Sequence, residues 1–107
     1  MTSRLFPSKL RTRPRVALGC VFVSFQALKA LGSEQAPLTQ VPVRHMQGDW
    51  GLVTEEDWQR NERALETGDF LLSSYMLSSG QKLWVHTNST RSATFVLLPA
   101  ESWQLQP

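Results

Sequence analysis

"FLLSSYMLSSGQKLWVHTNSTRSATFVLLP", residues 70 to 99, decides the fold class. Three runs within it, "FLLSSYML", "KLWVHT" and "ATFVLLP", are rich in β-branched and aromatic residues, and "SSGQ" and "NSTRS" between them have turn composition. Links this short join antiparallel neighbours, because a parallel return needs a crossover of about a dozen residues or more. The stretch predicts an antiparallel meander. "FVLL" is apolar on both faces, so its strand is expected to be central, and Pro99 ends it.

Upstream the hydrophobic period changes from two to that of a helix. Thr54 is placed to cap a helix whose first turn, Glu55, Glu56 and Asp57, suits the positive end of the helix dipole. Trp58, Asn61, Ala64 and Leu65 form one stripe, and Gly68 stops the helix. Before it, "GDWG" at 48 to 51 is turn chemistry, with Asp49 able to bond back to nearby amides. "CVFVSF" at 20 to 25 reads as a strand, after which Ser24 caps a helix over "FQALKAL" that Gly32 closes. Residues 36 to 47 mix helical spacing (Leu38, Val41, His45) with Pro42, so a turn and then a short helix through Met46 are expected. The fold class is α+β, with helices packed on a three- to four-stranded, mainly antiparallel sheet. Trp103 in the tail "AESWQLQP" is expected to tuck back onto the body.

At 107 residues the chain makes one domain, and 41% hydrophobic with 19% charged residues excludes a disordered or membrane class. No run approaches the ~20 apolar residues that span a bilayer. The charge is uneven. Residues 1 to 15 carry Arg4, Lys9, Arg11, Arg13 and Arg15 and no carboxylate, which leaves residues 16 to 107 with a formal charge of −3. The expected organisation is a flexible basic arm, 1–15, and a single domain, 16–107. A lone cysteine allows no internal disulfide and fits a cytoplasmic protein. "VALGCVFVSF" resembles a short secretory apolar core, but no small-x-small cleavage site follows.

The candidate chemistry is thin. Two histidines 41 positions apart and no cysteine pair match no compact metal spacing, and no glycine-rich phosphate loop is present, so no metal and no cofactor is implied. Cys20 beside "VFV" reads as a buried, inert thiol, and Ser73, Ser74 and Ser92 need a base. His45 with Asp49 is the one pair that suggests a small hydrolase-like site. A binding role is better supported. Trp, Tyr and Arg are frequent binding anchors, and Asp49, Trp50, Glu55, Glu56, Glu62 and Arg91 are the candidate protein-docking residues, with Trp50 as the exposed ring. The alternative is nucleic acid held by the arm through Arg4, Lys9, Arg11, Arg13 and Arg15, with Arg44, Lys82 and Arg91 as body contacts.

The segments "HMQGDWG", "EEDWQRNERALETGD", "LLSSYML", "KLWVHT" and "TRSATFVLLPAESW" together resemble a family of small proteins of bacterial plasmids, integrative elements and phages that has no settled activity. The similarity runs from about residue 21 to 103. It carries over His45, Gly48, Asp49, Trp50, Gly51, Asn61, Leu72, Ser73, Tyr75, Lys82, Trp84, Arg91, Ser92, Thr94 and Pro99. Where the family has an acidic pair before its arginine, this chain has Asn88 and Thr90, and the basic arm lies outside the pattern. The resemblance implies a non-catalytic accessory protein of a mobile element. Its acidic surface suggests an inhibitor of a host defence complex that handles nucleic acid.

Overall fold

The structure, a computed structural model, describes residues 14–105 without the side chains of Trp103 and Gln104. The expected packing of Trp103 and the arm residues Arg4, Lys9, Arg11 and Arg13 lie outside the described residues. The elements follow as β1 (Cys20–Val23), α1 (Phe25–Ser33), α2 (Gln40–Met46), α3 (Glu55–Thr67), β2 (Leu71–Met76), β3 (Lys82–Thr87) and β4 (Ala93–Leu97), closed by a 3-10 turn over Pro99–Leu105.

The sheet order is β1-β4-β3-β2. β2, β3 and β4 form the expected antiparallel meander, and β1 joins parallel to β4, which makes "FVLL" an interior strand. Side chains alternate across the sheet. Leu83, Val85 and Thr87 of β3, with Ser73 and Tyr75 of β2 and Val96 of β4, face the helices and are buried. All three helices lie on that face. α1 seats Ala27, Ala30 and Leu31 on Leu83, Val85 and Val96, while α3 seats Ala64 on Leu71, Trp50 and Val16. Burial of this apolar area, at roughly 25 cal/mol per Å², is the main favourable term.

The termini of the helices follow the expected chemistry in most cases. The Ser24 hydroxyl accepts from the Ala27 N–H, and Thr54 accepts from the Asp57 N–H at 3.1 Å. Pro42 is the third residue of α2, inside the first turn, where its missing N–H has no intrahelical partner to lose. Gly68 takes the left-handed conformation at the end of α3, with φ 82°. Gly32 does not play that part for α1. The helix runs through it to Ser33, and Gln35, with φ 56°, makes the left-handed turn.

Gly51 carries the tightest constraint. Its φ is 75°, it bridges to Ser74 of β2, and a Cβ there would collide with the Ser74 carbonyl and the Tyr75 ring. Gly51→Ala is expected to lower unfolding free energy by about 2 kcal/mol or more. Gly68→Ala, with open space around it, should cost only the left-handed strain, about 1 kcal/mol. Urea denaturation of the two variants checks the ranking.

Candidate functional site

Polar side chains on the buried face of the sheet converge on His45. The imidazole is fully buried, with Nδ1 2.5 Å from Ser73 Oγ on β2 and Nε2 2.9 Å from Thr87 Oγ1 on β3. Thr87 Oγ1 lies 2.7 Å from Thr94 Oγ1 on β4, and Thr94 donates to the Leu18 carbonyl at 2.8 Å. Each hydroxyl has one proton, so the chain of bonds has one direction. Thr94 spends its proton on Leu18 and therefore accepts from Thr87. Thr87 in turn accepts from His45 Nε2–H, which leaves Nδ1 to accept from Ser73. The imidazole is thus neutral, protonated on Nε2, and satisfied at both nitrogens. Burial holds its pKa down to about 3, and the cationic forms of His86 and Arg91 push the same way.

A Ser–His pair within hydrogen-bond reach has the geometry of a nucleophile and its base. Here neither atom is open to a substrate, the third partner is a threonine rather than a carboxylate, and the imidazole is a weak base. The expected His45–Asp49 pair does not form. Asp49 receives the Arg44 Nε–H at 2.8 Å and caps the Gly51 N–H, while its carbonyl accepts from the Tyr75 hydroxyl at 2.5 Å. Holding Arg44 by that bond raises the guanidinium pKa further.

Trp50 is the clearest correction. It is 0% exposed, not an exposed anchor. Its ring stands edge-on to His45 at 5.6 Å, and its indole N–H donates to Glu62 at 2.9 Å. The turn points the ring inward because Gly48 and Gly51 both take positive φ around it. Glu62, assigned to a docking rim, is occupied by Trp50 and by Arg15 at 2.8 Å, and the Arg15 bond first, then the indole, holds its carboxyl below the usual range. Arg15, grouped by sequence with the arm, is therefore fastened to the folded body.

Arg91 is occupied as well. Its guanidinium donates to the carbonyls of Asp69 and Ala64, tying the β3–β4 turn to the end of α3. Cys20 is exposed rather than buried, because β1 is the edge strand and its residues open to solvent. Glu55 accepts from Gln59 on its own helix, and Glu56 stays exposed. His86 stacks on Phe70 at 5.3 Å.

Sequence reasoning missed Thr87 and the roles of Thr94 and Asn61. The Asn61 side chain is buried and bonds both backbone groups of Leu72, donating to its carbonyl at 2.8 Å and accepting its N–H at 3.2 Å, so it serves as a partner for the β2 edge. A polar residue on an otherwise apolar stripe was the available signal for each of the three.

On the surface beside this hub lies a cleft of about 360 Å³ lined by Arg44, Asp49, Leu52, Trp58, Tyr75 and Met76. The Arg44 guanidinium lies 4.6 Å over the Tyr75 ring and forms one wall. Among the described residues no group of three His, Cys, Asp or Glu side chains is placed to hold a metal ion, and no helix is long and apolar enough to cross a membrane. Comparison with protein-family models, with curated proteins and with solved structures finds no match.

The depressed His45 pKa has a definite sign for stability. The unfolded chain takes up a proton near the ordinary value of 6.5 while the folded chain resists until about 3, so this contribution is present above pH 6.5 and is lost as pH falls through that window. Between pH 7.5 and 4.5 the loss from His45 alone should be about 3 kcal/mol. Denaturant midpoints across that range should fall steeply for the native chain and less steeply for His45→Gln.

Proposed function

We propose that the protein is non-catalytic and acts by binding another protein through the surface between the cleft and the start of α3. One juxtaposition carries this reading. Leu52 and Met76, 62% and 52% exposed, flank Trp58 at the cleft, and the first turn of α3 sets Glu55, Glu56 and Asp57 beside them, none in an ion pair among the described residues. Such a surface fits a basic segment that inserts an apolar side chain. The carboxylates would steer the encounter and reject acidic partners, and the apolar anchors would supply the affinity.

The finer reading follows from this chemistry and from the resemblance. An acidic face with an apolar anchor suits the basic groove of a nucleic-acid-handling complex. An accessory protein of a plasmid, integrative element or phage, working in the cytoplasm, would gain by occupying such a groove. Trp50, Glu62 and Arg91 drop out of the docking set because their polar groups are engaged internally. Asp49, held by Arg44 and the Gly51 N–H, drops out for the same reason, and Glu55 and Glu56 remain, joined by Leu52, Asp57, Trp58 and Met76.

Capture from host lysate followed by identification of the bound complex tests the reading. A nucleic-acid-handling complex should be retained by the native chain and lost, by about 2 kcal/mol or more of binding, in Leu52→Asp and in Glu56→Lys with Asp57→Lys. Trp50→Phe should keep binding while losing about 1 kcal/mol of stability. Capture insensitive to the surface changes, or substrate turnover that depends on His45, would contradict the proposal.

A further inference from the structure

The face of the sheet turned away from the helices has an unexpected composition. An antiparallel sheet with one open face usually shows polar residues there. Here strand alternation places Phe22, Phe95, Trp84, His86, Lys82 and Met76 on it, together with Ser74 and Leu97, which are buried, and the 3-10 turn after β4 packs against β3. The Phe22 and Phe95 rings stack at 5.3 Å with an interplanar angle of 18°, across the β1–β4 pair. Phe22 is 52% exposed, and a groove of about 240 Å³ runs beside the two rings along Ser24 and Leu97. At the opposite edge His86 stacks on Phe70, and the Arg60 guanidinium lies 4.1 Å from the Phe70 ring.

None of the four strands contains a carboxylate, whereas Lys82 belongs to the open face and Arg60 reaches its edge. Of the carboxylates near its edges, Asp69 accepts the Phe70 N–H and Glu101 accepts from Ser24 and from the Leu98 N–H. The acidic residues of α3 lie on the helix layer.

We propose that this open face binds single-stranded nucleic acid, with unpaired bases stacking on Phe22 and Phe95 and the backbone passing Lys82 and Arg60. The exposed Phe22 ring, backed by the half-buried Phe95, offers flat apolar area to any base, and Lys82 and Arg60, neither in an ion pair among the described residues, suit phosphate. A duplex keeps its base faces covered and gains nothing from the rings. Apart from Met76, which also lines the cleft, the residues of this face are not those of the protein-docking surface.

Fluorescence anisotropy of the full chain with a labelled 12-nucleotide single strand, as RNA and as DNA, against the corresponding duplex tests it. Single strand is expected to bind and duplex to bind much more weakly. Phe22→Ala and Phe95→Ala should each weaken binding by about tenfold or more, and Phe22→Tyr should retain it. With about two phosphate contacts, log affinity should fall against log salt with a slope of about −1 to −2. Amide shifts on titration should map to β1 and β4. The proposal is overturned by no binding, by equal duplex binding, or by binding indifferent to Phe22→Ala but lost when Arg4, Lys9, Arg11 and Arg13 are neutralised. It is also overturned if sedimentation shows a second copy of the chain covering the face. Loss of lysate capture in Leu52→Asp without loss of oligonucleotide binding separates the two sites.

Discussion

The rest of the structure depends on a neutral imidazole buried between two strands. His45 is the side chain by which α2 hydrogen-bonds the sheet, to β2 through Ser73 and to β3 through Thr87. From Thr87 the chain of hydroxyls passes to β4 at Thr94 and ends on the backbone of the segment that enters β1. One helix, three strands and the entering chain are thereby held in a single arrangement. A half-satisfied buried network would cost more than an apolar core, so each member restricts the identity of the next. Trp50 completes the enclosure by standing edge-on to the ring and excluding water from it.

This fastening explains why the most distinctive stretch of the chain is not its working surface. In "HMQGDWG" the histidine bonds the sheet, the two glycines turn the backbone, the aspartate holds Arg44 and Gly51, and the tryptophan is buried. Asn61, Ser73, Tyr75, Arg91 and Thr94 likewise spend their polar groups on neighbouring elements. The proposed partner surfaces lie elsewhere, one at the acidic start of α3 with its cleft and the other on the aromatic face of the sheet. The two differ in charge and chemistry, so they would select different ligands.

Much of the fold was legible because its signals are local. The caps at Ser24 and Thr54, the stop at Gly68, the turns around Gly80 and Asn88 and the three meander strands depend on residues close in sequence. The parallel pairing of β1 with β4 was not legible, since it joins Cys20 to Ala93 across the whole chain. The site was harder to read for the same reason. His45 and Asp49 are neighbours in sequence, and local spacing suggested a pair, but the partners of His45 lie 28 and 42 positions away. Turn composition suggested an exposed Trp50, and the positive φ of two glycines turned it inward. The edge position of β1, which exposes Cys20, is likewise a property of topology and not of the apolar run itself.

Side-chain nitrogen NMR of His45 measures the central constraint directly. Between pH 8 and 4 the folded protein should show a pyrrole-type Nε2, a pyridine-type Nδ1, and no titration of this ring. A ring that instead takes up a proton near pH 6.5 while the chain stays folded, or that carries its neutral proton on Nδ1, would contradict the account of His45 as a buried, neutral tie between α2 and the sheet.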